Sequence, residues 1–239
     1  MKKFLLWLFV LVIVVLAGAY FARNAIVGSA IEKGSTYALG VETHLGSANL
    51  SLNAGSLELS GFRIDNPAGF ESDQILSIES GIVDVNTGSV FADTVEIDSI
   101  VFSDIKVTLE HNNGKSNYQA LLDNAAKVDI GESESNTIFR VKKIEINKIR
   151  AEAKINLPGN NKIEEAFEIE NIRLNNVGGN DGASLAKLTA TIIEELTKKV
   201  LAEGKYKLPG NVGKYFEGIG KGTLEKAGDD AVQKVKDLG

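Results

Sequence analysis

The glycine-rich segments that could bind phosphate have the wrong spacing for that chemistry. Gly114-Lys115-Ser116 has the residue types that end a phosphate-binding loop. The full motif needs a glycine where Leu109 stands and a helix directly after a buried strand. Asn113-Gly114 is instead a strong hairpin signal, so we interpret the segment as a turn. Residues 218–222 (Gly-Ile-Gly-Lys-Gly) have the wrong spacing for a dinucleotide fingerprint and no preceding strand.

Metal ligands are also poorly represented in the sequence. His44 and His111 are its two histidines, and neither belongs to a pattern such as His-Glu-x-x-His. Cysteine is absent, which excludes disulfides and thiolate metal sites. We therefore expect no metal, no cofactor and no enzymatic activity.

Carboxylates are plentiful, but they fall where alternating strands place the solvated face. This holds for Asp93, Glu96, Asp98 and Asp104. Four glutamates recur at one position of a repeated pattern, and we expect them to line the outer face and keep exposed edges soluble. They are Glu58, Glu96, Glu145 and Glu168.

That repeated pattern is an octet that occurs four times and organises the chain. In residues 144–151 apolar side chains stand at 144 and 146, then at 149 and 151. Successive side chains of a strand point to opposite faces of the sheet, so each half of the octet predicts a half-buried strand. The three-residue step between positions 146 and 149 would turn the apolar side chains of the second half to the opposite face. The other octets begin at Leu57, Val95 and Phe167. A bulge or bend is therefore expected at Ser60-Gly61, Asp98-Ser99, Asn147-Lys148 and Glu170-Asn171.

The octets predict a mostly β (α+β) fold. We expect about nine strands in a twisted, bulged antiparallel sheet that forms a half-open groove or a sandwich. Residues 118–126 are predicted to form a short helix. A longer amphipathic helix is predicted from an N-cap at Ser184 to an end at Gly204, packing on the sheet. Its apolar stripe is Leu185, Leu188, Ile192, Leu196 and Val200, and residues 224–238 are a candidate last helix.

An uncharged, apolar run occupies residues 4–22, after Met1-Lys2-Lys3. As a helix it would span about 28 Å at ~1.5 Å per residue, close to the thickness of a bilayer's hydrocarbon core. We expect a transmembrane anchor that continues as a helix to about Leu39. The two lysines predict a cytoplasmic N-terminus and a body outside. The alternative is a cleaved signal peptide, since Ala17-Gly18-Ala19 has the form of a cleavage site.

The charge is unevenly distributed along the chain. The formal net charge is −6, and residues 24–197 have 26 acidic against 14 basic side chains. An acidic body argues against a nucleic-acid partner, because phosphate binding needs a basic surface.

We divide the chain into an anchor (1–22), a juxtamembrane helix (23–39), a β domain (40–182) and a C-terminal helical region with a tail (183–239).

Four segments of the first 175 residues form a recognisable series. The anchor and helix end in residues 37–41 (Tyr-Ala-Leu-Gly-Val), and residues 46–52 (Gly-Ser-Ala-Asn-Leu-Ser-Leu) follow. Asn66-Pro67-Ala68-Gly69-Phe70 comes after the first octet, and residues 117–122 are Asn-Tyr-Gln-Ala-Leu-Leu. In these segments residues 1–175 resemble the N-terminal region of the AsmA family of envelope proteins. Typical members are much longer than this chain.

The resemblance implies a bacterial inner-membrane protein with one N-terminal helix and a periplasmic β body. The family is similar in build to chorein-type lipid-transfer proteins, which implies that the protein binds or hands on phospholipid acyl chains. The expected lipid groove consists of Leu57, Leu59, Val95, Ile97, Ile144, Ile146, Phe167 and Ile169. The alternative is a non-enzymatic scaffold or assembly factor for envelope proteins, in which a helix covers the same apolar face.

Overall fold

The computed structural model describes residues 22–90, 92–112, 115–127, 137–157 and 161–208. The expected anchor lies outside these residues except for Ala22, and the candidate helix at 224–238 lies outside them entirely. In the described ranges, no helix combines the length and the apolar character needed to cross a bilayer.

The described chain is mostly β, as the octets predict. Helix α1 covers residues 22–39. It is followed by β1 (Thr43–His44), β2 (Ser47–Ser51), β3 (Ser56–Asp65), β4 (Gln74–Val85), β5 (Thr94–Asn112) and β6 (Lys115–Ser116). Helix α2 (Asn117–Lys127), β7 (Ile138–Leu157), β8 (Asn161–Val177) and helix α3 (Leu185–Lys207) complete it. The four octets lie in β3, β5, β7 and β8.

All eight described strands belong to one sheet that does not close on itself. The strand order is β1-β3-β4-β5-β7-β8, with β2 also paired to β3 and β6 also paired to β5. The main path is therefore six strands wide, or about 29 Å at ~4.8 Å per strand. Since β7 has 20 residues, the sheet is longer along its strands than across them.

The prediction of an antiparallel sheet is wrong at its centre. Strands β5 and β7 pair in parallel, from Thr94 beside Ile138 to His111 beside Ile155, whereas the other ladders are antiparallel. Parallel strands need a crossover of a dozen or more residues. The chain between Asn112 and Ile138, which includes β6 and α2, supplies that crossover.

The predicted reversals, at which a strand changes the face that its alternate side chains occupy, are present. Most of them fall in one row across the sheet. The flanking pairs place Gly61, Glu79, Asp104, Lys148 and Glu170 side by side in this row, which we call the crease. Three of its residues have positive φ: Gly61 (65°), Asp104 (56°) and Lys148 (53°). On β7, Ile144 and Ile146 before the crease and Ile149 and Ala151 after it are all buried. The left-handed residue thus keeps both halves of the octet on the apolar face.

The second octet reverses at a separate bulge. Asp84 pairs with Ser99 and Val85 with Ile97, so Asp98 is an extra residue on β5. This confirms the bulge predicted at Asp98-Ser99. Strand β5 then reverses again at Asp104 in the crease, which was not predicted.

Helices α1, α2 and α3 contribute to the same apolar cluster as the sheet. Ser184 caps α3 as predicted, since its Oγ accepts a hydrogen bond from the Lys187 N–H at 3.3 Å. The predicted end at Gly204 is wrong: α3 continues to Lys207, and the Leu208 N–H donates to the Gly204 carbonyl at 3.0 Å. Two lysines in the last turn suit the negative end of the helix dipole, which helps the helix to continue past the glycine.

Candidate functional site

The eight residues predicted to line a groove lie on one face, but most of them belong to the core. Leu57 and Leu59 pack partly buried against the core cluster, and Val95 is half-buried. The other five are buried: Ile97, Ile144, Ile146, Phe167 and Ile169. The structure therefore places the eight side chains on one face of the sheet, and much of that face is buried.

Coverage of the apolar face falls from the central strands towards β3. On β5 and β7 the face is covered on both sides of the crease, where Ile100, Ile144 and Ile149 are buried. On β3, Leu57 and Leu59 are only partly buried, as is Phe102 on β5. The accessible part of the face thus lies on β3 and at nearby positions of β5, on the side of the crease where these strands begin.

We call that end of the sheet the hairpin end; it comprises the turn at residues 52–55 and the 3₁₀ turn Thr87–Ser89. A hydrogen bond of 2.7 Å from the Val85 N–H to the Gly55 carbonyl joins the two turns. Ser89 joins the second turn to β5, because its Oγ accepts the Glu96 N–H at 2.8 Å. The hairpin end is therefore held together by hydrogen bonds of its own.

The opposite face of the sheet is charged and internally paired. Arg140 contacts Glu96 at 3.1 Å, and Lys142 contacts Asp98 at 2.6 Å. Glu145 contacts Arg173 at 3.3 Å. The other two recurring glutamates are on this face as well, Glu58 near Asn49 and Glu168 near Arg150. Exposed pairs of this kind contribute little to stability because water and salt screen them.

A polar cleft of ≈ 380 Å³ opens where the loop of residues 66–73 folds over the charged face. Lys154 Nζ donates to Ser72 Oγ at 2.9 Å, and Lys162 Nζ lies 2.9 Å from Glu71 Oε2. The hydrogen bond and charge of Lys162 lower the pKa of Glu71. The cleft lining includes Glu71, Ser72, Asp73, Lys106, Thr108, Glu152 and Lys154.

Glu152 shows how charges in this cleft balance each other. Burial raises the pKa of its carboxyl, but hydrogen bonds and charge from Lys106 and Arg150 outweigh burial and lower the pKa overall. Lys106 Nζ is 3.0 Å from Glu152 Oε2. The carboxylate is thus held ionised against a cation, which suits a structural ion pair better than a general acid.

Glu110 ties the loop to the sheet and was not predicted as a buried group. Its carboxylate accepts the N–H of Glu71 at 2.8 Å and that of Ser72 at 2.6 Å. Asn117 is fully buried beside it: its Oδ1 accepts the Glu110 N–H at 2.9 Å, and its Nδ2 donates to Asn66 Oδ1 at 3.0 Å. Asn66 and Asn117 therefore belong to one satisfied polar network, which fixes the Asn-Pro-Ala-Gly-Phe turn.

The two histidines occupy separate places. His44 Nε2 lies 3.3 Å from Asp65 Oδ2, and His111 Nδ1 lies 2.8 Å from Ser116 Oγ. Burial lowers the pKa of His111. His111 pairs with Ser116 across the β5–β6 ladder, which confirms the predicted hairpin, although residues 113–114 lie outside the described chain. In the described ranges, no three His, Cys, Asp or Glu side chains are placed to hold a metal ion.

The described residues thus form an apolar face that is accessible towards one end, and a charged face whose groups pair with each other. Neither a protein-family model nor a curated protein matches this chain. The geometry of the two faces and the pattern of the sequence are therefore the basis for assigning a function.

Proposed function

We propose that this protein is a membrane-anchored, non-enzymatic protein of the bacterial cell envelope that binds phospholipid acyl chains near the hairpin end of its apolar face. The observation that carries the proposal is the graded coverage of that face. Ile144 is 0% exposed, whereas Leu57, Leu59 and Val95 stay partly accessible. A ligand can reach these three side chains without unpacking the core.

The start of α1 supports access from a membrane. Arg23 Nε donates to the Leu50 carbonyl at 3.1 Å, and Asn24 Oδ1 accepts the Leu50 N–H at 2.9 Å. These bonds hold the start of α1 beside β2, next to the turn at 52–55. The apolar residues 4–22 directly precede this point. An anchor embedded in the inner membrane would therefore place the accessible leucines near lipid.

The resemblance to the AsmA family adds to this physical case. It implies an inner-membrane anchor, a periplasmic body and a role in handling phospholipid. Burying acyl chain contributes about 0.8 kcal/mol per methylene. A shallow contact with about four to six methylenes is then worth roughly 3–5 kcal/mol, which suits transient uptake and release. Deeper insertion, towards Ile146 on β7 or Phe167 on β8, would require the helices to move, so we propose shallow binding.

The test uses the full-length protein in phosphatidylcholine vesicles that contain a phospholipid with a photoactivatable acyl chain. Crosslinks are expected at the partly accessible residues near the hairpin end. Leu59→Asp and Val95→Asp should reduce crosslinking about tenfold with an unchanged circular dichroism spectrum, because a charge opposes contact with acyl chains. Ile82→Asp is the matched control, since Ile82 is an exposed apolar residue of β4 outside the core cluster. Equal crosslinking of all four proteins would contradict the proposal.

A scaffold or assembly factor is the second candidate. It is favoured by the burial of Ile97, Ile144 and Ile169, which makes much of the predicted groove a core. The charged face would then be the surface for partners. Recovery of one defined envelope protein with the anchored chain, together with an absence of lipid crosslinks, would favour this function.

A further inference from the structure

Two large apolar side chains project from the hairpin end without belonging to the core. Leu52, in the turn between β2 and β3, is 53% exposed. Val90, directly after the 3₁₀ turn, is 39% exposed. Single exposed apolar residues are common on protein surfaces, but two at the tips of adjoining turns form an apolar edge that suits a partner that excludes water.

Hydrogen bonds place both side chains at the same end of the sheet. The Val85–Gly55 bond joins the two turns, and a Cβ added at Gly55 would meet Thr87 Cγ2. Ser89 and Ala92 continue the connection, with a hydrogen bond of 2.9 Å from the Ala92 N–H to the Ser89 carbonyl. The two tips therefore lie at the same end of the sheet, on turns that contact each other.

The chain itself indicates what covers this edge. The start of α1 is bound to Leu50, two residues before Leu52, and the uncharged run of residues 4–22 ends there. Ile26, in the first described turns of α1, is also strongly exposed. An anchor leaving the bilayer at this point brings the hairpin end to the level of the lipid headgroups.

We propose that the hairpin end is a membrane-docking surface, in which Leu52 and Val90 insert into the interface of the bilayer that holds the anchor. This inference rests on the anchor in the proposed function, but it does not require lipid binding on the apolar face. Docking would fix the orientation of the sheet relative to the membrane. A tethered body would otherwise rotate about the start of α1.

The charges at this end predict no dependence on anionic lipid. Arg140 is held by Glu96 and by the Asn180 carbonyl, and Lys142 is held by Asp98. Because these cations are engaged within the chain, burial of apolar side chains is the main contribution to docking. Zwitterionic phosphatidylcholine is therefore a sufficient probe.

The experiment uses the full chain, which lacks cysteine and has one tryptophan, Trp7, within the apolar run. Leu52→Cys and Val90→Cys are labelled with an environment-sensitive fluorophore in phosphatidylcholine nanodiscs. Ile82→Cys is the control of matched exposure at 43%, and Tyr206→Cys, 79% exposed in the last turn of α3, is a second control. Lipids with a shallow doxyl group quench fluorophores that lie in the interface.

Quenching at positions 52 and 90 is expected to exceed that at 82 and 206 at least about threefold, as for side chains buried about 5–10 Å into the interface. Quenching of Trp7 reports on the anchor independently. If Trp7 is quenched while positions 52 and 90 behave like the controls, the docking surface is overturned and the anchor stands. If Trp7 is not quenched, both the anchor and the docking surface are overturned.

Discussion

Asp104 and Lys148 occupy matching positions in the parallel β5–β7 pair, both have positive φ, and their side chains form an ion pair at 3.3 Å. Left-handed backbone is unfavourable for residues other than glycine, by about 1–2 kcal/mol. Both strands nevertheless adopt it at the same row. Because the reversal is shared, the ladder keeps one register while the apolar side chains stay on one face.

The crease can be tested at Lys148. We expect Lys148→Val to lower the free energy of unfolding by about 1–2 kcal/mol relative to Lys148→Gly, because a β-branched residue is a poor fit to positive φ. The ion pair with Asp104 is exposed and is lost in both variants. Urea denaturation measures the difference. Equal stability of the two variants would show that position 148 is not left-handed.

Removal of the Glu110 carboxylate should destabilise the loop of residues 66–73. Glu110→Ala leaves the N–H groups of Glu71 and Ser72 without their acceptor, and we expect a loss of about 2–3 kcal/mol. Glu110→Gln retains one oxygen acceptor and should lose less. Glu58→Ala, on the exposed face, is the control and should change stability by less than about 0.5 kcal/mol. A Glu110→Ala protein as stable as this control would refute the role of the network.

The different burial of Ile144 and Leu57 predicts that substitution by alanine destabilises the protein to different extents at the two positions. Leu57 and Ile144 share a row of the sheet that also includes Val83 and Ile100. Ile144→Ala should lower the free energy of unfolding by about 3–4 kcal/mol, since the site is fully buried. Leu57→Ala should lower it by about 1–2 kcal/mol, because the side chain is partly exposed. Similar losses in chemical denaturation would mean that the face is equally covered at both positions.

His111 gives the stability a dependence on pH. Burial lowers its pKa in the folded protein below the ordinary value of about 6.5, so the unfolded chain binds the proton more tightly. With respect to His111, the protein therefore has its full stability above about pH 6.5. Its free energy of unfolding declines as the pH falls towards the pKa of His111 in the folded protein. Denaturation from about pH 8 to about pH 5.5 should show a smaller loss of stability in His111→Gln than in the wild type. His44→Gln serves as the control, and an unchanged profile in His111→Gln would contradict the prediction.

The strands and the reversals within the four octets could be predicted because they follow from the spacing of apolar residues. The same spacing contains reversals that were missed. Val141 and Ile144 on β7 are both buried and are separated by the three-residue step that marks the octets. Phe102 and Ile105 on β5 are separated by the same step. Reading that step as a second reversal within one strand would have placed Asp104 in the crease.

Other features depend on contacts that spacing does not encode. Glu110 alternates with Leu109 and looks like a solvated residue until the loop of residues 66–73 covers it. Gly204 is a common type of helix end, but here the packing of Val200, Leu201 and Leu208 in the core favours continuation of the helix. The extent to which helices cover the groove residues likewise depends on tertiary packing, which the periodicity of one strand cannot give.

The parallel pairing of β5 and β7 has a consequence for the order in which the newly made chain can assemble. Strands β3, β4 and β5 can form a meander as soon as they are synthesised, but β5 gains its second long neighbour only after the crossover and β7 have followed. Until then, a 19-residue strand edge is open to pairing with other chains. The β5 edge therefore stays open from the completion of Asn112 to that of Leu157, and over this interval the incomplete chain is exposed to edge-to-edge pairing with other chains.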